Sequence, residues 1–342
     1  MDRSRLRFGI IGAANIARAF AAGVSSSKQV RIVGISSRDL TKAKQFADEF
    51  HIDKRFGCYE ELLADPEIDA VYLPLPNSMH AEWAIRSARA GKHILCEKPL
   101  ATSLAEAMSM FTAAKEHSVI LREAYPYLAQ PQTTQTRDLI DHGAIGRLQL
   151  IRASFGLAFS DRDNIRLNPD LGGGALLDAG SYPVSLVRVL AKSRPNRVQA
   201  AARWGDNVLD RTLVATIDFD SGVLAQISCS FATGFHRHAL IAGDDGIIET
   251  DYTNHAWPGG PPLIRLRRGL GNRTPYEVIE TLGTDGFLAE ADSFKKLVSE
   301  EENCWSGATP DESLDIAATL DAIAQSARAD GQWIDVGAGR PS

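Results

Sequence analysis

At 342 residues, with 44% hydrophobic and 23% charged side chains, the chain exceeds one ordinary core and is expected to form two domains, neither disordered nor fibrous. A net charge of −6 without a basic stripe argues against a nucleic-acid partner. No apolar run approaches a membrane span, and Met1-Asp2-Arg3-Ser4-Arg5 leads straight into a short strand, so no membrane partner and a cytoplasmic location are expected.

The first third alternates short β-rich runs with helical stretches. Leu6–Ile11 reads as a strand, Asn15–Ala22 as a helix, Val30–Ser36 as a strand and Leu40–Phe50 as a helix. Asp69–Leu73, His93–Cys96 and Val119–Leu121 are further strands, separated by helices at Met79–Ala90 and Leu104–His117. Strands alternating with helices of this size predict a doubly wound parallel sheet, an α/β Rossmann domain over residues 1–124.

After Glu123 the rhythm changes. A helix over Pro131–His142 precedes an alternating strand at Arg147–Phe155, and β-rich runs follow between Asn196 and Glu280. They include Leu213–Phe219, Val223–Phe231 and His238–Ala242, joined by turn signals at Asp220-Ser221-Gly222 and Gly243-Asp244-Asp245-Gly246. Helices at Phe287–Ser299 and Asp311–Arg328 close the chain, and Trp257–Pro262 reads as an exposed loop. Residues 125–342 are therefore expected to form an α+β domain around an open, predominantly antiparallel sheet, meander-like in connection.

The first strand delivers the chain to Gly12-Ala13-Ala14-Asn15-Ile16-Ala17. This matches the dinucleotide fingerprint at its first glycine, with Ala14 and Ala17 in the later small-residue places. Pyrophosphate would sit on the N-terminus of the helix that follows. The second strand ends in Ser36-Ser37-Arg38-Asp39, two hydroxyls and a guanidinium where an NAD site usually offers a carboxylate. Arg38 suits a 2′-phosphate, and Asp39 is read as the cap of the next helix. NADP(H) is the expected cofactor, with NAD(H) possible.

Two segments carry unusual chemistry. Cys96-Glu97-Lys98-Pro99 ends a parallel strand, where open α/β sheets hold ligands. Gly172-Gly173-Gly174-Ala175-Leu176-Leu177-Asp178-Ala179-Gly180-Ser181-Tyr182-Pro183 places Asp178 and Tyr182 four apart, on one face of a helix. Proline inside a helix costs about 3 kcal/mol, so the helix is expected to kink or to restart at Pro183. Carbinol oxidation needs a base for the hydroxyl proton, and a tyrosine serves once an ammonium such as that of Lys98 stabilises its phenolate. Asp178 would orient substrate hydroxyls or the acid–base group. Spacing alone leaves open that Lys98 pairs with a surface carboxylate and that Asp178 merely caps a helix.

At these residues the sequence resembles the Gfo/Idh/MocA oxidoreductases over essentially its whole length. The carriers are the Gly12 turn, Pro76-Asn77-Ser78-Met79-His80, the run from Gly91 to Leu100, and Gly172 to Tyr182. Having tyrosine at 182 is similar to the branch of dihydrodiol dehydrogenases and NADP-dependent aldose dehydrogenases such as xylose dehydrogenase. The resemblance implies a sugar or polyol dehydrogenase with Tyr182 as acid/base and Lys98 as its helper, Asp178 completing the catalytic set. It implies cofactor contacts at Gly12, Ala13, Ala14, Asn15, Ile16, Ser37, Arg38, Leu73, Pro74, Asn77, His80, Glu97 and Lys98, with Arg166 approaching cofactor or substrate. It also implies pairing into a homodimer or homotetramer through the second sheet.

The segment Glu123-Ala124-Tyr125-Pro126-Tyr127-Leu128-Ala129-Gln130 departs from the branch, which usually has arginine at the place of Leu128 and histidine at that of Gln130. This puts the branch's substrates in question and leaves Tyr127 as an expected pocket residue able to stack on a sugar face. Two alternatives follow. One is the same chemistry on a non-sugar diol or dicarbonyl, and the other is an NADP(H)-sensing regulator without turnover. Cys58, Cys96, Cys229 and Cys304 form no CxxC pair and are expected to be reduced thiols. His236 and His238 share a strand face without a third ligand at informative spacing, so no metal is expected.

Overall fold

The computed structural model describes residues 5–159, 164–205, 208–254, 260–299 and 304–337. The chain divides into two compact units, one of Met1–Ala101, Ala105–Ala129 and Asp285–Pro310, the other of Thr102–Leu104, Gln130–Thr284 and Asp311–Ser342.

In the first unit the elements run β1 (Leu6–Ile11), α1 (Asn15–Val24), β2 (Val30–Ser36), α2 (Leu40–Phe50), β3 (Lys54–Phe56), α3 (Tyr59–Ala64), β4 (Ala70–Leu73), α4 (His80–Arg89), β5 (His93–Glu97), α5 (Leu104–Glu116) and β6 (Leu121–Ala124). Six parallel strands lie in the order β3-β2-β1-β4-β5-β6, so the order reverses beside β1 and opens the ligand-binding crevice at its carboxyl end. The strand expected at Val119–Leu121 begins only at Leu121, because Ser118 takes a left-handed conformation and Val119 N–H returns to Ala114 O at 2.9 Å. Neither β3 nor α3 was expected. The six-residue α3 buries Tyr59, Leu62 and Leu63, too short a run to show a helical period.

The second unit contains α6 (Pro131–Asp141), β7 (Leu148–Ala158), α7 (Ser181–Ala191), β8 (Pro195–Trp204), β9 (Asp210–Phe219), β10 (Leu224–Ser230), β11 (Ala232–Gly243), β12 (Gly246–Thr250), β13 (Leu263–Arg268) and β14 (Glu277–Glu280). After α8 (Gly286–Val298), which belongs to the first unit, it resumes with α9 (Pro310–Arg328) and β15 (Ile334–Asp335). Its nine strands lie in the order β14-β13-β12-β11-β7-β10-β9-β8-β15. The expected meander is thus interrupted: β7, first in sequence, sits mid-sheet, parallel to β10 and antiparallel to β11. Every other pair is antiparallel. One face carries α7, whose Arg188 reaches Asp315 of α9 at 2.7 Å in a largely buried ion pair. Of the loop expected at Trp257–Pro262, residues 257–259 lie outside the described residues.

The single break expected near residue 124 is refined by α8, which returns to the first unit. Its apolar stripe explains why. Phe287, Ala291 and Phe294 are buried in one cluster with Phe8, Phe20 and Tyr72. Phe20 stacks on Tyr72 at 3.9 Å and meets Phe8 and Phe287 edge-on at 5.7 and 6.2 Å. Asp285 caps α8, its Oδ1 accepting from Phe287 N–H at 2.9 Å. Glu290 falls inside the same stripe and is fully buried. Burial, reinforced by the charges of Glu97 and Glu123, pushes its carboxyl well above the ordinary range.

Phe20→Ala should cost about 3–5 kcal/mol, read as a fall in denaturant midpoint at unchanged slope, because one ring joins three aromatic contacts. Glu290→Gln should act in the opposite sense. With its folded value raised, the acid contributes full stability below about pH 4, the ordinary glutamate range, and loses it as pH rises. The substitution should therefore raise the midpoint at neutral pH and lose that gain in acid, which paired denaturation curves would measure.

Candidate active site

A first set of candidate residues is built on the crevice of the parallel sheet. Gly12 has φ of 110°, and a Cβ there would stand 2.8 Å from Leu75 Cδ2, so the turn admits only glycine. Its N–H donates to Ser36 O at 2.9 Å, tying the turn to β2. Ala14 occupies the N-cap position of α1 in an extended conformation, and no side chain caps the helix. Asn15 and Ile16 therefore open α1 with N–H groups turned to the crevice end of the sheet, beside Ala13.

At the tip of β2 the two charged neighbours separate in role. Asp39 Oδ1 accepts from Thr41 N–H at 2.9 Å and Lys42 N–H at 3.4 Å, so its carboxylate serves α2 as an N-cap. Ser37 Oγ accepts from Asp39 N–H at 3.2 Å, and Arg38 is exposed next to the Tyr59 hydroxyl. Burial raises the Tyr59 phenol and Arg38 opposes that rise.

Leu73 ends β4 and is fully buried, with Pro74 and Leu75 following and Asn77 opening a short 3-10 turn. His80 joins this loop to the next one: its Nε2 lies 2.8 Å from Leu75 O and its Nδ1 2.9 Å from Pro99 O. Burial holds the imidazole below its ordinary pKa against the pull of those carbonyls, and the Lys98 charge adds to the lowering. Glu97 at the end of β5 accepts from the Tyr72 hydroxyl at 2.5 Å and, through Oε2, from Lys98 N–H at 3.2 Å. The Lys98–Pro99 peptide is cis, and Glu123 Oε1 accepts from Leu100 N–H at 2.8 Å beyond it. Two fixed carboxylates thus bracket the segment that presents Lys98.

A second set of candidate residues lies in the other unit. Gly173 approaches the backbone so closely that a Cβ would stand 2.5 Å from Arg166 O. Gly174 N–H donates to that same carbonyl at 2.9 Å, and Leu176 N–H donates to Asp210 Oδ2 at 2.6 Å. Burial pushes the Asp210 carboxyl upward, opposed by its backbone donors. From this anchor Leu176–Gly180 forms a π-turn and α7 starts at Ser181. The single helical face expected for Asp178 and Tyr182 is therefore broken between them. Pro183 falls in the first turn of α7, where no intrahelical donor is needed.

Asp178 Oδ2 accepts from Arg166 Nε at 2.9 Å, and the same guanidinium lies over the Phe159 ring at 5.6 Å. Tyr182 is 7% exposed, meets Phe155 edge-on at 5.3 Å, and its hydroxyl accepts from Asn254 Nδ2 at 3.2 Å. Arg237 lies over the Tyr182 ring at 4.2 Å. Neither Arg237 nor Asn254 figured in the sequence reading. Strand alternation carried a signal for the first, since Arg237 shares the buried face of β11 with Ala239 and Ile241 while His236 and His238 face the other way.

Of the departures, Leu128 is fully buried, and Gln130 Nε2 donates to Asn254 O and Thr284 O at 2.6 Å each, fixing the backbone beside Asn254. Tyr127 is fully buried and meets Tyr125 edge-on at 5.9 Å. His236 contacts Gly234 O at 3.0 Å and His238 lies 3.8 Å from Glu249. Cys96 and Cys229 are buried. No helix among the described residues is long and apolar enough to cross a membrane.

Residues 6–125 match a family model described as an oxidoreductase family with an NAD-binding Rossmann fold, and residues 133–249 match the Gfo/Idh/MocA C-terminal domain. The chain is 32% identical to D-xylose 1-dehydrogenase (NADP(+)) 2 of Haloferax volcanii over 94% of its own length and 97% of that protein. It is 32% identical to trans-1,2-dihydrobenzene-1,2-diol dehydrogenase of Danio rerio, covering 86% and 88% of the two chains. A 3-ketoreductase from Actinomadura kijaniata, solved in complex with NADP and TDP-benzene, superposes with a TM-score of 0.84 at 30% identity, covering 94% of this chain and 98% of that one. Both matched regions and the 94% of the chain shared with the xylose dehydrogenase agree: the chain belongs to the Gfo/Idh/MocA oxidoreductase family.

Proposed function

We propose that the chain is an NADP(H)-dependent oxidoreductase that acts between a hydroxyl and a carbonyl on a sugar or polyol carbon. The observation that carries this reading is Tyr182, whose phenol oxygen is held by Asn254 and backed by Arg237 at the start of a helix. The names of the xylose dehydrogenase and of the NADP-bound ketoreductase support it.

The residues of the first unit fit a dinucleotide. A Cβ would fill the Gly12 cradle, α1 begins without a side-chain cap, and Ser37 with Arg38 offers donors to a 2′-phosphate. Asp39 directs its Oδ1 to the N–H groups that open α2. A bound nicotinamide supplies the hydride acceptor or donor. Tyr182 exchanges the substrate hydroxyl proton, and Lys98 contributes the ammonium that favours the phenolate. Asp178, held by Arg166, orients substrate hydroxyls.

A second reading keeps the chemistry and changes the substrate to a cyclic diol. It is favoured by the aromatic wall around Tyr182, in which Phe155 meets Phe235 at 6.0 Å and Phe235 is 61% exposed. We further propose that the chain pairs with copies of itself through the open face of the nine-stranded sheet. That face holds a shallow trough of about 740 Å³ between residues such as Arg152, Thr216, Gln226 and His238.

Nicotinamide absorbance with NADP⁺ against aldoses, inositols and cyclic diols tests both substrate readings. Tyr182→Phe and Lys98→Met should each lower kcat by about a hundredfold or more, and unchanged turnover in both would refute the proposed roles. Arg38→Ala should raise the NADP⁺ KM by roughly tenfold or more while leaving that for NAD⁺ nearly unchanged, measured on the same substrate.

A further inference from the structure

The ring that carries the acid–base hydroxyl stands against a buried cation. Arg237, 9% exposed on β11, has its Cζ 4.2 Å from the centroid of Tyr182, 4.5 Å from that of Tyr252 and 5.2 Å from that of Phe155. Its Nη1 donates to Asn254 Oδ1 at 3.3 Å, and Asn254 Nδ2 donates to the Tyr182 oxygen at 3.2 Å. A guanidinium can only donate, so it fixes which end of the Asn254 amide faces it and leaves the N–H end for the tyrosine. When the Tyr182 proton leaves, negative charge spreads from the oxygen into the ring above the guanidinium. The cation–π attraction then becomes an attraction between opposite charges, in a place with little water.

We propose that Arg237, together with Asn254, is a positioning pair for Tyr182 that holds the phenol in one orientation and stabilises the charge developing on it during proton transfer. This rests on Tyr182 being the acid–base residue. In the same unit Tyr252, Cys229, Asp210 and Asp178 supply no such cation, and Arg188 of α7 is paired with Asp315. Tyr252 donates its hydroxyl to Ser154 O at 2.8 Å, and burial keeps it protonated despite Arg237. Burial likewise keeps the Cys229 thiol of β10 protonated, Asp210 serves the Leu176 N–H, and Asp178 is paired with Arg166.

Arg237→Met, Arg237→Lys and Asn254→Asp would be compared with wild type in kcat and KM across pH, after near-ultraviolet circular dichroism has verified folding. Arg237→Met should lower kcat roughly tenfold with KM changed less than about threefold, and shift the pH dependence of oxidation upward by about one unit. Arg237→Lys should restore most of the rate. Asn254→Asp, which sets a carboxylate against the tyrosine oxygen while keeping a partner for Arg237, should shift the profile in the same direction. Ultraviolet titration of tyrosinate, with a Tyr182→Phe version of each protein subtracted, should rank the variants identically without turnover.

Wild-type pH profiles and tyrosinate titrations in folded Arg237→Met and Asn254→Asp would overturn the inference. So would equal losses in the lysine and methionine variants with no change in pH profile, since that is the signature of packing alone. If Tyr182→Phe itself turned over normally, the proposed function would fail instead, and the tyrosinate titration would still decide whether this cation acts on this phenol.

Discussion

The hydrogen bond from Leu176 N–H to Asp210 Oδ2 holds the start of the turn on which the placing of Asp178 and Tyr182 depends. Three glycines bring the chain so close to the Arg166 and Asn168 carbonyls that no side chain fits at Gly173, and the half-buried Asp210 carboxylate then accepts from Leu176 N–H. Because the chain passes through a π-turn before α7 begins, Asp178 turns toward Arg166 while Tyr182 turns onto the sheet, under Arg237 and beside Phe155. Such widened turns are common where a helix must present side chains its regular pitch would misplace.

The first unit solves a different problem. Glu97, Glu123 and Glu290 are all buried on or beside the carboxyl ends of its last strands. The first two are occupied by the Tyr72 hydroxyl and by the Lys98 and Leu100 N–H groups, which shape the backbone around Lys98. Glu290 comes from α8, and like charges so close cannot all ionise in a medium that solvates them poorly. The aromatic cluster that fastens α8 therefore also carries an electrostatic cost into the layer behind the motif.

Much of this was legible in the sequence because the signals were local. Strand–helix alternation predicts the parallel sheet, the Gly12 run marks its crevice, and Asp39 before Leu40–Phe50 reads correctly as a cap. What escaped is non-local. The mid-sheet place of β7 follows from pairing with residues 74 to 95 positions later, which no periodicity encodes. Likewise α8 carries an ordinary amphipathic pattern that does not say which core receives it. Arg237 sat between two histidines that drew attention to the wrong face of the strand, and Asn254 gains its role only through the fold.

His80 sets its two ring nitrogens against two carbonyl oxygens, Leu75 O after β4 and Pro99 O after β5. An uncharged imidazole carries one proton, so it can donate to only one of them at a time, and the other carbonyl then faces a nitrogen lone pair. The choice of tautomer therefore belongs to both loops at once. Whatever draws either carbonyl away decides which nitrogen keeps the proton, and the backbone around Pro74 and around Lys98 shares a single, indivisible bond.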